Sequence, residues 1–150
     1  MSLKAKIKEE LKEAMRNKDE VSKNALKGVL AAFTNELVSL GRTPQDELSE
    51  KEEIKVIKRL VKQRKDSEEK YIEGGRNDLA EIEKTEREIL EKFLPEMASE
   101  EEILKIAEKI KSEMNLEDKS KMGVLIGNIM KELGDRADGS LVKKIIEKMF

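Results

Sequence analysis

The chain contains no histidine, no cysteine and no tryptophan. Without imidazole or thiol groups, Ser-His-Asp triads, cysteine nucleophiles and zinc or iron–sulfur sites built on His or Cys are excluded. Structural disulfides are excluded as well, which suits a reducing compartment. Aromatic residues make up only 3%, too few for the core of a β-sandwich or barrel. The longest run without a charged side chain is Met122–Met130, nine residues, against the roughly 20 that a membrane-spanning helix requires. Lys4, Lys6, Lys8 and Glu9 interrupt the N-terminal stretch, so it has no signal-peptide core. These absences predict a cytoplasmic protein without membrane association, metal or cofactor.

What is present is charge. Asp, Glu, Lys and Arg make up 43% of the 150 residues, yet the formal net charge is only −2, and 37% of the chain is hydrophobic. Balanced charge with a preserved apolar fraction reads as amphipathic helices rather than disorder. The length fits one domain, or one domain with a small appendage.

The apolar spacing predicts seven helices. Leu3, Ile7, Leu11 and Met15 recur every four residues. Asp19 is placed to cap a second helix carrying Leu26, Val29, Leu30, Phe33, Leu37 and Leu40, which Gly41 ends. Ser49 with Glu52 is a capping-box signature for a third, carrying Ile54, Ile57, Leu60, Val61, Tyr71 and Ile72 to the Gly74-Gly75 stop. A fourth turns Leu79, Ile82, Ile89, Leu90 and Phe93 inward and halts at Pro95. Ser99 with Glu102 is a second box, opening a helix through Ile103, Ile106, Ala107, Ile110 and Met114. Two short helices follow, over about 120–133 and 139–149. The expected architecture is all-α: an N-terminal bundle of about four helices over 1–95 and a small three-helix subdomain over 96–150.

Charge is segregated along the chain. Residues 55–65 hold six basic and no acidic groups, whereas residues 66–118 hold eight basic and eighteen acidic. At 100° per residue Lys55, Lys58, Arg59, Lys62 and Lys65 share one arc of about 120°, opposite Ile57, Leu60 and Val61. Such a face is either a track for a phosphate backbone or a solvated face paired with the acidic fourth helix. Arg64 points instead into the apolar arc and needs a carboxylate partner, because a buried unpaired charge costs several kcal/mol. Glu36 on the second helix is the expected partner; a substrate-binding role for Arg64 is the alternative.

Several strings carry a family resemblance: Val61-Lys62-Gln63-Arg64-Lys65-Asp66-Ser67, Gly75-Arg76-Asn77-Asp78-Leu79-Ala80, Phe93-Leu94-Pro95, Lys121-Met122-Gly123 and Arg136-Ala137-Asp138-Gly139. Their order and spacing resemble the YqeY family across essentially the whole chain. The C-terminal third is more weakly similar to the tail of GatB, a subunit of the amidotransferase that converts misacylated glutamyl- or aspartyl-tRNA to the amide form. The resemblance implies an all-helical fold, and it implies that the last three helices help to hold tRNA. Gly123 and Gly127 match small residues of the tail, either for tight helix packing or for close approach of another backbone. Asp138 is expected to cap the last helix. The family places a glycine directly before the arginine of the Arg-Ala-Asp-Gly string; here that position is Asp135, and the glycine is Gly134. Lys121, Lys131, Arg136, Lys143 and Lys144 are the expected RNA-facing cations. No catalytic constellation accompanies them: there is no phosphate loop, and Ser67 beside Lys65 lies within a charged helix. A non-catalytic tRNA- or RNA-associated module is therefore expected. The alternatives are a protein-interaction adaptor, for which exposed Met122, Leu125, Met130 or Met149 would be the sign, and an accessory to amidotransferase activity in a complex that supplies the active site.

Overall fold

Ser2 opens the first helix, α1 (Leu3–Arg16): its extended backbone lets the hydroxyl accept the Ala5 N–H at 3.1 Å. The computed structural model describes residues 2–150, and among them are seven α-helices and no strand. α2 (Glu20–Ser39), α3 (Glu50–Glu73) and α4 (Asn77–Glu91) complete a first compact unit that ends at Leu94. α5 (Glu100–Met114), α6 (Met122–Leu133) and α7 (Gly139–Met149) form the second, Pro95–Phe150.

Local chemistry sets most helix ends. Asp19 caps α2 by accepting the Ser22 N–H at 3.1 Å, and Gly41, at φ +75°, follows its last turn. Ser49 and Glu52 complete a capping box on α3. Gly75, at φ +74°, turns the chain in the short connection to α4. The box expected on α5 is only half formed. The Ser99 hydroxyl accepts the Glu102 N–H at 3.2 Å, while the Glu102 carboxylate accepts from Arg136 at 2.7 Å instead of returning to the helix end.

In the first unit Ile7, Leu26, Val29, Ile57 and Leu90 lose nearly all contact with solvent. Each contributes about 2 kcal/mol by burial. α3 and α4 form an antiparallel hairpin, and α2 runs antiparallel along α3, since Glu36 meets Arg59 while Gly28 lies beneath Arg64. Five apolar side chains expected inward are exposed. Leu40, Ile72 and Met114 fall in the last turn or at the end of their helices, where the neighbouring helix no longer covers them, while Met15 is turned outward in a turn that is covered. Ile82 lies at the rim of the α4 arc, and Ala80 takes the buried place. Ala14 does the same in α1. The second unit, a little over 50 residues, closes on Ile103, Ala107, Leu125, Ile129, Val142 and Ile146.

One carboxylate lies inside this packing. Glu53 of α3 is 3% exposed and accepts the Lys4 N–H of α1 at 2.9 Å, so a residue 49 positions away caps the first helix. Burial pushes its carboxyl above the usual carboxylate range, Glu50 and Glu47 push the same way, and the Lys4 N–H opposes them. The folded chain therefore holds this proton more tightly than the unfolded chain. The contribution to stability is complete below the ordinary value of 4.5 and is lost as pH rises through the raised one. Glu53→Gln keeps an oxygen for the Lys4 N–H but cannot ionise. Its urea midpoint should lack this pH-dependent decline and should not fall below that of the parent at pH 7. Glu53→Ala, which leaves the N–H unpaired, should cost about 1 kcal/mol.

Candidate nucleic-acid interface

The rotation of α3 is set by the seam it shares with α4. Arg64 donates from Nε to Glu86 at 3.1 Å and from Nη1 to the Leu60 carbonyl at 3.4 Å. Arg87 of α4 donates back to Glu68 of α3 at 3.4 Å and to Glu91 at 2.9 Å. All four side chains of the two cross-seam pairs are at most 20% exposed. Arg64 thus has its carboxylate partner, but the partner is Glu86 and not Glu36, which pairs with Arg59 at 3.3 Å. The reason is axial offset. The Arg64 guanidinium lies over Gly28, 3.5 Å from where a Cβ would stand, and Glu36 is eight residues further along α2, about 12 Å of helix. Glu83 faces the same cluster; burial raises its carboxyl pKa, nearby Glu86 adds to the rise, and Arg64 opposes it.

With Arg64 turned in, the remaining cations of α3 turn out. Lys55, Lys62 and Lys65 are exposed and take part in no ion pair among the described residues. Arg59 is exposed and paired with Glu36; Lys58 is half-buried. The acidic fourth helix joins α3 through arginines rather than through this lysine row.

In the second unit Asp138 caps α7, accepting the Ser140 N–H at 3.0 Å and the Leu141 N–H at 3.3 Å. Gly134, at φ +58°, ends α6, so the positive-φ position falls one residue before Asp135. Arg136 is committed internally. Its Nε donates to the Glu96 carbonyl at 2.8 Å, Nη2 to Glu102 at 2.7 Å, and its own carbonyl accepts the Ala98 N–H at 2.9 Å. This arginine ties the turn after α6 to the start of α5. Lys121, Lys131, Lys143 and Lys144 are exposed and outside every ion pair among the described residues.

Gly123 and Gly127 share one open face of α6 with Val124, Asn128 and Lys131. A Cβ built at either glycine would meet nothing within 4 Å, so neither glycine is there for tight packing within the second unit. Leu125 is fully buried, and Met122, Met130 and Met149 are partly buried against their own core. A small cavity, about 30 Å³, lies beside Ser2, Phe33, Asp46 and Glu53; it has room for a few waters.

The sequence reading missed Glu53, Glu86 and Arg87. Helical phase would have found them. Glu83, Glu86 and Arg87 share the arc of Leu79, Ala80 and Leu90, and Glu53 precedes Ile57 by four residues.

Residues 4–150 match the family model described as "Yqey-like protein". Among curated proteins, "Altered inheritance of mitochondria protein 41, mitochondrial" of Clavispora lusitaniae is 31% identical over 99% of this chain and 88% of its own length. Its namesakes in Lachancea thermotolerans and Candida glabrata are 35% and 37% identical, over 66% and 61% of this chain and about half of their own lengths (52% and 49%). All three are named mitochondrial, which overturns the cytoplasmic expectation. Lack of cysteine and of long apolar runs restricts disulfides and membrane crossing, not the compartment in which a helical fold resides.

The seam generates a stability prediction. Arg64→Met leaves the Glu86 carboxylate, beside Glu83, without its cation, and should cost about 2 kcal/mol. Adding Glu86→Leu should return much of that loss, because the pair is then replaced by apolar contact. A double-mutant cycle in urea measures both; additive losses would show that the pair does not couple.

Proposed function

The chain belongs to the YqeY family, and from that premise we propose that it is a non-catalytic helical module that associates with tRNA or a similar RNA. In this reading the second unit makes contact as the tail of the amidotransferase subunit does. Binding is electrostatic and follows shape, because an aromatic content of 3% leaves little surface on which bases could stack. The observation that carries the reading is the open face of α6. Gly123 and Gly127 leave room for a close-approaching backbone, with exposed Lys131 on the same face. Lys121 and the α7 pair Lys143 and Lys144 add exposed charge that takes part in no ion pair among the described residues. Asp138 and Arg136 hold the α6–α7 turn in place, and their substitution would act through folding.

The test is binding of total tRNA to the purified protein across a salt series, beside a Lys143→Glu/Lys144→Glu variant. The expected result is a Kd of about micromolar at about 50 mM salt, steep weakening toward 200 mM, and further weakening in the variant. No binding at the lowest salt, where phosphate contacts are strongest, would rule the reading out.

A further inference from the structure

The outward face of α3 is divided. Lys51, Lys55, Lys62 and Lys65 fall within an arc of about 80° on the helical wheel, all exposed and all outside any ion pair among the described residues. The row is about 21 Å long, from the rise of fourteen residues. On the same arc the next residues are Asp66, Glu69 and Glu73, also exposed. The helix thus presents a cationic track that ends abruptly in carboxylates. The crossed pairs to α4 engage Arg64, Glu68, Glu86 and Arg87, so among the described residues no carboxylate of α4 is paired with the lysines.

We infer that α3 is a second RNA contact, a phosphate track of fixed length that grips the backbone of one strand over about four phosphates and forces it away at Asp66. The inference rests on the proposed RNA association and adds a site in the first unit. The track carries no apolar or aromatic side chain, so it reads phosphate charge and not bases. It also suits a flexible polyanion better than an anionic membrane. A flat bilayer would press Asp66, Glu69 and Glu73 against its headgroups along with the lysines, and no apolar side chain on the track is available to insert. A single strand can leave the helix where the sign changes.

The experiment is fluorescence anisotropy of a labelled oligouridylate of about 12 nucleotides, titrated with the full chain between about 50 and 200 mM salt. For single strands the slope of log K against log salt is about −0.7 per phosphate neutralised. Lys55→Gln/Lys62→Gln/Lys65→Gln should make the slope shallower by about two units, with helicity by circular dichroism unchanged because all three side chains face solvent. Asp66→Lys/Glu69→Lys should extend the track and steepen the slope by about one unit. Vesicles of phosphatidylglycerol and phosphatidylcholine are the comparison. No oligouridylate or tRNA binding by the parent chain would overturn both the functional reading and the track. Binding with an unchanged slope in the triple variant would overturn the track alone and leave the α6–α7 contact standing. A shallower slope without the gain from Asp66→Lys/Glu69→Lys would overturn the acidic stop, and binding to vesicles but not to RNA would overturn the choice of ligand.

Discussion

Arg64 enters the seam between α3 and α4, meets Glu86 at 3.1 Å, and is answered by Arg87 reaching back to Glu68. Most of the first unit follows from that exchange. A helix in which more than half of the residues are charged can satisfy its apolar arc only over a narrow range of rotation. With Ile54, Ile57 and Leu60 set against α2, the arginine is carried into the interface and the lysines are carried out of it. Partly buried ion pairs add little net stability once desolvation is counted. Their effect here is to make every other rotation of α3 worse, since each would leave a guanidinium or a carboxylate against apolar surface.

The second unit solves a different problem. Three short helices enclose a thin core, and their connections have to be held by polar groups. Arg136 does this at three points, and the price is the missing half of the capping box on α5, because Glu102 answers Arg136 rather than its own helix end. With the turn fixed, α7 presents its lysines on one side and Val142, Ile145 and Ile146 on the other. The face of α6 bearing Gly123 and Gly127 is left uncovered by the rest of the unit.

Signals confined to a few residues were legible in the sequence. Asp19, Ser49 with Glu52, Ser99 and Asp138 cap the helices assigned to them, and the last helix spans Gly139–Met149 as its spacing predicts. The all-α class and the family follow from the same local signals and from motif order. Quantities that depend on how far one helix slides along another were not legible. The phase of Arg64 pointed inward, but the choice between Glu36 and Glu86 is an axial offset that periodicity does not encode. Ile72 and Met114 kept the right phase and are still exposed, because spacing does not show where a neighbour stops. For the site, the exposure of Lys55, Lys62, Lys65, Lys131, Lys143 and Lys144 follows from helical phase. The internal use of Arg136 depends on a contact 34 residues away and could not be read locally.

The cap on α1 has a consequence for the order in which the chain acquires structure. Lys4 and Glu53 are separated by 49 residues, whereas α3 and α4 are joined by the short turn Gly74–Arg76. The hairpin closes a short loop and can form as soon as both arms exist, while the first helix must await a carboxylate from the third. During synthesis α1 emerges before α3, so its cap is completed only after the third helix has followed. The first turn of α1 therefore keeps an unpaired backbone donor until Glu53 has arrived.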